Sequence, residues 1–403
     1  MVLIGVATAF IKLMFWQDIT ILSRIVNDLF KAAENGFTIS LGLTAMITFW
    51  LGIMKIGENA GAVQKLTKLV TPLFSRLFPS IPKDHPAVGA MMMNFSANML
   101  GLDNAATPLG IKAMKELQTL NPDEKTASDA QIMFLVLNTS GLTIIPVSVF
   151  ALLASNGETN PTVVFLPILI ATYFASLGGL ILISIKQRIN LLNPVVLAYL
   201  GGLTALILGL LYWVIVEPES GDFLANVIGN GLILLIITGF ILMGWRKKID
   251  VYQSFIDGAK EGFNVAIGII PYLIAMLAAI SVFRSSGVLD AILEGIRWLA
   301  LSIGLTVTEW IDAMPIAFMK PLSGSGARGA LQDLISNHGV SDLRSRIGTV
   351  MQGSTETTFY VLAVYFGAVK ITNTRYAANI GLLADAIGII SAIFVSYIFF
   401  GNA

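Results

Sequence analysis

The sequence contains no cysteine among its 403 residues, and His85 and His338 are its only histidines. The lack of cysteine excludes disulfide bonds, iron–sulfur clusters and thiolate zinc sites. Two histidines are too few for a histidine-rich metal site. The methionine run Met91–Met93 is more typical of packing than of metal binding. We therefore expect no metal and no other cofactor.

Charge is also scarce, because 25 Lys and Arg and 25 Asp and Glu make up only 12% of the chain. A net charge of zero provides no basic surface of the kind that binds nucleic acid. Hydrophobic residues make up 55%, and the mean hydropathy is +0.79. Apolar runs of about 20 residues indicate membrane helices rather than barrel strands. The sequence predicts an all-α integral membrane protein with apolar segments near 2–16, 37–56, 87–106, 130–154, 162–185, 195–216, 223–245, 263–283, 299–322, 347–369 and 374–400.

The chain repeats itself. Residues 31–42, KAAENGFTISLG, align with residues 257–268, DGAKEGFNVAIG, and the same offset places Gly61 on Gly287. Farther on, NTSGLT at 138–143 aligns with GSTETT at 353–358. Segment 195–216 has no counterpart and joins the halves. Internal repeats are typical of transporters, and they predict a first repeat over 1–190, a joining transmembrane helix over 191–220 and a second repeat over 221–403.

Positive charge predicts which loops are cytoplasmic. Lys186, Arg188 and the cluster Arg246–Lys248 indicate cytoplasmic turns, and the acidic turn 217–222 between them should be external. Two topologies remain. If the third apolar segment of each half enters the membrane and returns, the two halves are inverted; if it crosses, they are parallel. We favour inversion, although it places four basic residues outside: Lys320, Arg328, Arg344 and Arg346.

A polar stretch interrupts the apolar pattern of the first half. Six Asn, Ser, Asp and Thr side chains lie between Asn94 and Thr107. Thr107-Pro108 predicts a helix start, because a hydroxyl caps free N–H groups and proline suits the first turn. A helix break at membrane depth exposes backbone, and transporters build solute sites from such breaks. The alternative is a packed hairpin whose amides satisfy one another.

The corresponding stretch of the second half is SGSGARG at Ser323–Gly329. It contains GxGxxG, but no strand–helix unit surrounds it, so a nucleotide fingerprint is a poor interpretation. We interpret it as a glycine-rich unwound segment whose free N–H groups attract anions, strengthened by Arg328. The alternative is a tight turn with a surface arginine.

Glu356 lies near the start of an apolar helix, where a carboxylate is costly and usually functional. It could bind a proton or cation, or only pair with Arg328. Asp385 is a second carboxylate of this kind. The candidate solute-binding residues are Asn94, Ser96, Asn98, Asn104, Thr107, Asn138, Ser140, Ser323, Ser325, Arg328, Ser354, Glu356 and Thr357.

The first half resembles spore maturation protein A through KDHPAVGAMMMN at 83–94 and GLDNAATPLGIKAMKEL at 101–117. The second half resembles spore maturation protein B through KPLSGSGARG at 320–329, MQGSTETTFYVLAVYFGAV at 351–369 and TRYAANIGLLADAIGI at 374–389. Both belong to the nucleoside-recognition, or gate, superfamily, which includes membrane parts of ferrous-iron and nucleoside transporters. The resemblance implies a fusion of the two proteins, located in the bacterial inner (plasma) membrane. It suggests transport and names no substrate.

The leading hypothesis is a transporter of a small polar or anionic solute, which binds between two halves that rock against each other. The alternatives are a membrane scaffold or assembly factor of the cell envelope, and lipid translocation. An intramembrane enzyme lacks support, because no nucleophile–base pair or metal set is visible. We expect membrane lipids and a solute as partners, no nucleic acid, and we leave open a coupling proton or cation and a homo-oligomer.

Overall fold

The computed structural model describes residues 1–82, 84–100, 103–141, 143–217, 223, 227 and 229–401, and of residues 103–105 only the backbone. These residues are almost entirely helical. Their one piece of strand pairing is an isolated bridge between Thr126 and Asn373, so the all-α prediction is confirmed. The helices up to the joining segment are α1 (Val2–Trp16), α2 (Ile21–Asn59), α3 (Ala62–Leu77), α4 (Pro86–Met99), α5 (Asp103–Gln118), α6 (Asp129–Thr139), α7 (Val147–Ser155), α8 (Phe165–Gln187) and α9 (Pro194–Val216).

The second half repeats this order. Its helices are α10 (Asn230–Lys247), α11 (Val251–Ser285), α12 (Val288–Ser302), α13 (Met314–Met319), α14 (Gly324–His338), α15 (Leu343–Ser354), α16 (Thr358–Ala368) and α17 (Ala377–Phe400). Among the described residues, the helices long and apolar enough to cross a membrane are α2, α8 with the 3-10 turn before it, α9, α10, α11 and α17. The joining helix α9 starts one residue before the predicted segment 195–216, and the chain is a multi-pass membrane protein.

The first long helix of each half packs against its counterpart in the opposite direction. A Cβ at Gly36 would lie 3.1 Å from the Cα of Ile274, and a Cβ at Gly262 would lie 2.8 Å from the Cα of Thr48. As residue numbers rise in α2, those of its partners in α11 fall. Because glycine has no side chain, the two backbones can approach closely at these positions, as in other membrane helix pairs.

Two hydrogen bonds at the ends of this pair are related by the repeat. Asn59 donates from Nδ2 to Ser254 Oγ over 3.1 Å, and Ser285 donates from Oγ to Asp28 Oδ2 over 2.6 Å. The offset that aligns Gly61 with Gly287 also aligns Asp28 with Ser254 and Asn59 with Ser285. Equivalent residues therefore make equivalent contacts, as a two-fold axis between the halves requires.

The last long helix of each half behaves in the same way. A Cβ at Gly179 in α8 would lie 3.1 Å from Ala384 Cβ in α17, and a Cβ at Gly388 would lie 3.0 Å from Ala175 Cβ. These helices too run antiparallel. Because both pairs are long and apolar enough to cross a membrane, the axis that relates them lies in the membrane plane. This arrangement is the inverted repeat, and it excludes the parallel alternative.

The halves also exchange helices. Phe134 of α6 stacks on Tyr365 of α16 with ring centroids 5.8 Å apart, and Phe95 of α4 meets Phe134 at 5.2 Å. In the other large hydrophobic cluster, Phe150 of α7 shares a core with Leu331 of α14. Part of the fourth apolar segment of each half, α7 in the first half and α16 in the second, thus packs against the other half.

The broken segments are where the sequence predictions need correction. The apolar runs 130–154 and 347–369 are each two helices, α6 with α7 and α15 with α16, rather than one. The helix expected to start near Thr107 begins at Asp103, with Pro108 inside it. Inversion places Lys320 and Arg346 on the external side, but their side chains are buried in the protein rather than exposed in loops, with 6% and 7% exposed. Buried charges of this kind do not act as loop charges in the positive-inside rule.

The third segment of the first half is a helical hairpin. Helix α4 ends at Met99, α5 starts at Asp103, and the two pack side by side. Residues 101 and 102 lie outside the described residues. At 1.5 Å per residue α4 is roughly 20 Å long, shorter than a hydrocarbon core of about 30 Å. These dimensions fit a segment that enters the membrane and returns.

Cysteine pairs test the antiparallel arrangement, because the natural chain has no thiol. We expect Asp28→Cys with Ser285→Cys, and Asn59→Cys with Ser254→Cys, to form disulfides in membranes, since each pair replaces a direct hydrogen bond. The measurement is whether the halves stay joined after cleavage at a protease site inserted between α8 and α9.

The matched control is Asp28→Cys with Ser254→Cys. These equivalent positions lie at opposite ends of the antiparallel pair, roughly 45 Å apart at 1.5 Å per residue. Crosslinking of this pair, without crosslinking of the two test pairs, would contradict the inverted repeat.

Candidate functional site

The breaks of the two halves meet each other. The backbone N–H of Glu356, between α15 and α16, donates to the carbonyl of Thr139 at the end of α6 over 3.1 Å. Gly141 has a φ of 76°, and a Cβ there would lie 3.1 Å from the Cα of Thr355. Only glycine suits this position, because a side chain would be strained and would strike the opposite break. The two breaks are therefore in direct backbone contact.

A cavity of about 560 Å³ opens beside this contact. It is lined by both halves, mostly near the ends of helices. Its lining residues are Asn98, Ala106, Thr107, Asn138, Tyr272, Leu322, Ser323, Gly324, Ser325, Arg328, Glu356, Thr357, Tyr360, Val361 and Tyr365. Eight candidates from the sequence thus surround one space: Asn98, Thr107, Asn138, Ser323, Ser325, Arg328, Glu356 and Thr357.

The first half contributes an amide pair to the cavity wall. Asn98 donates from Nδ2 to Asn138 Oδ1 over 2.8 Å, and Asn138 donates its own amide to the carbonyl of Phe134, also at 2.8 Å. The pair ties the end of α4 to the end of α6. Both Asn98 and Asn138 border the cavity.

The second half contributes a helix start. Ser323 caps α14, and its Oγ accepts from the N–H of Gly326 over 3.0 Å. The N-terminus of a helix carries about half a positive charge, and α14 is 15 residues long. Arg328 lies one turn into the helix and adds a full positive charge to the same wall. This part of the cavity therefore favours a negative group.

Glu356 opposes that preference. Its carboxyl borders the large cavity and also a second, smaller one of about 50 Å³, which Lys320, Gln352 and Thr355 line on the opposite side of the break. Lys320 donates from Nζ to the carbonyl of Gln352 over 2.8 Å, near the C-terminal end of α15. Two cationic and one anionic side chain thus surround the meeting point of the breaks.

The mouth of the large cavity is aromatic and apolar. Tyr272, Leu322 and Tyr360 are 67%, 61% and 56% exposed. Tyr272 lies midway along the apolar run of α11, between Glu261 and Arg284. The mouth therefore opens sideways, beside the middle of the apolar run of α11. Sequence analysis did not select these tyrosines; tyrosine within an apolar run would have been the signal.

Five candidates lie outside the cavity lining. Asn94 is buried and donates to the carbonyl of Ala106 and to the hydroxyl of Tyr365, at 2.8 and 3.2 Å. Ser96 lies on the opposite side of α4 and shares a hydrogen bond with Thr67. The other three are Ser140, which bonds Ser176, Ser354, which bonds the carbonyl of Met351, and Asn104, whose side chain lies outside the described residues.

These positions predict that Asn94 is structural. Asn94→Ala leaves the buried Ala106 carbonyl and Tyr365 hydroxyl without this partner, which should cost about 1–3 kcal/mol of unfolding free energy. Ser96→Ala removes one bond to the partly exposed Thr67 and should cost less than about 1 kcal/mol. Denaturant unfolding of the purified protein in detergent measures both. Equal losses for the two variants would show that Asn94 does not hold the hairpin.

Comparisons with known proteins agree with this architecture. Spore maturation protein B of Bacillus subtilis (strain 168) is 44% identical over 178 residues, which are 44% of this chain and 98% of that protein. Spore maturation protein A of the same organism is 41% identical over 180 residues, 45% of this chain and 92% of that protein. No solved structure matches. The gate family, described as nucleoside recognition, matches residues 40–156 and 266–372, one segment in each half, with the helix breaks inside both. The chain therefore belongs to the gate, or nucleoside recognition, family.

Proposed function

We propose that the protein is a transporter of the bacterial inner membrane that moves a small polar or anionic solute through the cavity between its halves. The observation that carries the proposal is the cavity itself, because both halves supply polar side chains to one space at the helix breaks. Inverted-repeat transporters bind their substrates at such breaks, between the repeats. We propose no catalytic reaction.

The charges of the wall favour an anion. The start of α14 and Arg328 together contribute about one and a half positive charges, and the dipole end alone is worth up to about 2 kcal/mol for a partly buried anion. Glu356 offsets much of this while it is ionised. An anion is therefore bound best when a proton or a cation compensates one acidic group near the site.

Alternating access requires contacts that close the cavity at each end, and two sets of cross-half contacts fit that role. At one end Asn156 and Gln332 exchange two amide hydrogen bonds of 2.8 and 2.7 Å, beside the buried ion pair of Glu158 and Arg346. At the other end Asp129 pairs with Arg375 over 2.8 Å. Rocking of the halves would break one set while the other stays closed.

The sideways mouth favours lipid translocation as a second candidate. A water-soluble solute would reach the cavity only when rocking opens one of its ends, whereas the head group of an amphiphile could enter through the sideways mouth while its chain stays in the lipid. Tyr272, Leu322 and Tyr360 provide the apolar and aromatic rim that such a chain would contact.

The site is tested by measuring whether the purified protein in nanodiscs binds acetate, succinate, inorganic phosphate, uridine or Mn²⁺. We expect an anion to bind, Asn98→Ala and Arg328→Gln to weaken it about tenfold each, roughly 1.4 kcal/mol, and Glu356→Gln to strengthen it by removing a negative charge. Affinity should fall as pH rises, because ionisation of an acidic group repels the anion. Ser140→Ala, a buried serine away from the cavity, is the control.

Saturable binding that Asn98→Ala and Arg328→Gln leave unchanged would place the site elsewhere. Comparison of decanoate with acetate separates the two functions, since both have the same head group. Tighter binding of decanoate that Tyr272→Ala abolishes would favour the amphiphile, and equal binding of the two would favour a small solute.

A further inference from the structure

Asp385 lies at the point where the two breaks meet. It is on the face of α17 that carries Gly381 and Gly388, one turn before and one turn after it. A Cβ at Gly381 would lie 2.9 Å from Thr358 Cγ2 and 3.4 Å from Thr139 Oγ1, and a Cβ at Gly388 would strike Thr355. These glycines let α17 lie directly on the breaks of both halves, with the carboxyl group between them.

The carboxyl group is buried and only partly hydrogen-bonded. Asp385 is 1% exposed. Its Oδ2 accepts from the hydroxyl of Thr358 over 2.6 Å, whereas Oδ1 has no hydrogen-bond partner among the described residues. The hydroxyl of Thr355, 2% exposed, also has none among them. A buried carboxylate needs several donors, but a protonated carboxyl needs only one acceptor for its own O–H.

Among the described residues, the charged side chains that interact with Asp385 across the junction are Lys320 and Glu356. Helices α9 and α16, which also pack on α17, contain no charged residue. The remaining neighbours of α17 are α6, α8 and α15, and their charged residues lie toward the helix ends. Asp129 of α6 and Lys186 of α8 lie near Tyr376. In α15, Arg346 lies over the ring of Phe400 and Arg344 pairs with Asp312.

We propose that Asp385 binds the proton that is coupled to solute movement. The proposal rests on the proposed function and assigns the compensating charge to a residue outside the solute cavity. Protonation of Asp385 removes one negative charge from the junction beside the cavity, so an anion is held more strongly. Ionisation of Asp385 restores that charge, which repels the anion and favours its release.

Protonation of Asp385 also affects the helix break between α15 and α16. Thr358 is the first residue of α16, so its bond to Asp385 joins α16 to α17 beside the junction. Loss of the proton turns Asp385 into an acceptor only, and gain of the proton lets Oδ1 donate to a neighbouring oxygen. Protonation therefore changes how α16, a segment embedded in the opposite half, is held.

Infrared difference spectra between acid and alkaline pH test the proton site without any solute. The full chain in nanodiscs should show the band of a protonated, buried carboxyl that exchanges slowly with deuterium. The band should persist in Glu356→Gln and in the control Asp290→Asn, an exposed aspartate, and vanish in Asp385→Asn. Thr358→Val removes the hydrogen bond to Asp385 Oδ2 and should keep the band but shift its frequency. This variant retains the carboxyl group, so it provides a second report on Asp385 that does not depend on Asp385→Asn.

Binding of the anion tests the coupling. We expect acetate or succinate affinity in the wild type to fall about tenfold on ionisation, the effect of one charge at roughly 10 Å in a medium of dielectric about 20. Asp385→Asn should bind independently of pH, while Glu356→Gln should keep the pH dependence.

The outcomes separate the two proposals. A carboxyl band that survives Asp385→Asn, or disappears only in Glu356→Gln, would overturn the assignment, as would pH-dependent binding in Asp385→Asn or a sodium dependence in place of the proton. A band assigned to Asp385 in a protein that binds no probe would sustain the proton site and count against solute transport. Anion binding without any pH dependence would support the solute site and count against Asp385 as the coupled proton site.

Discussion

The backbone groups freed at the helix breaks are the constraint on which the rest of the structure depends. A free N–H or C=O at membrane depth needs a partner from the protein. The N–H of Ile144, after the first break, donates to the carbonyl of Met99 over 2.9 Å, and that of Phe359, after the second, donates to Pro321 over 3.0 Å. Each hairpin is thus held at the depth of its own break, and polar side chains accumulate there as a consequence.

The sequence made much of this arrangement predictable. The repeat gave equivalent helices, and the polar residues of segment 87–106 favoured a re-entrant third segment, which together with the unpaired segment that became α9 predicted inverted halves. The polar residues near Asn98 and Ser323 were recognisable because an apolar run has no other reason to contain them. These signals are local or periodic, and a sequence read along its length reveals them.

Other features depended on contacts between distant residues. Lys320 and Arg346 looked like loop charges, because the groups that hold them, the Gln352 carbonyl and Glu158, are apparent only in the fold. Ser96 was grouped with Asn94 and Asn98, although residues two apart lie on opposite sides of a helix. The start of α5 was predicted at Thr107, because proline suits a first turn, but α5 begins at Asp103 and Pro108 lies inside it.

The two halves have the same framework but different chemistry. At the first break the side chains are amides and hydroxyls, such as Asn98 and Asn138. At the second they are ionisable, with Lys320, Glu356 and Asp385 close to one junction. Among the described side chains, a fold with two-fold symmetry thus has uncharged polar groups at its first break and ionisable groups at its second.

The exchange of helices between the halves has a consequence for biogenesis. During synthesis the first half enters the membrane before α16 exists, so the face of Phe134 that Tyr365 of α16 later covers is without its partner until then. Helix α7 likewise lacks its packing partners until α14 and α15 have been synthesised. The native arrangement can be completed only after the last third of the chain has been inserted. A chain truncated within that third would lack the helices that cover these surfaces and close the junction of the breaks.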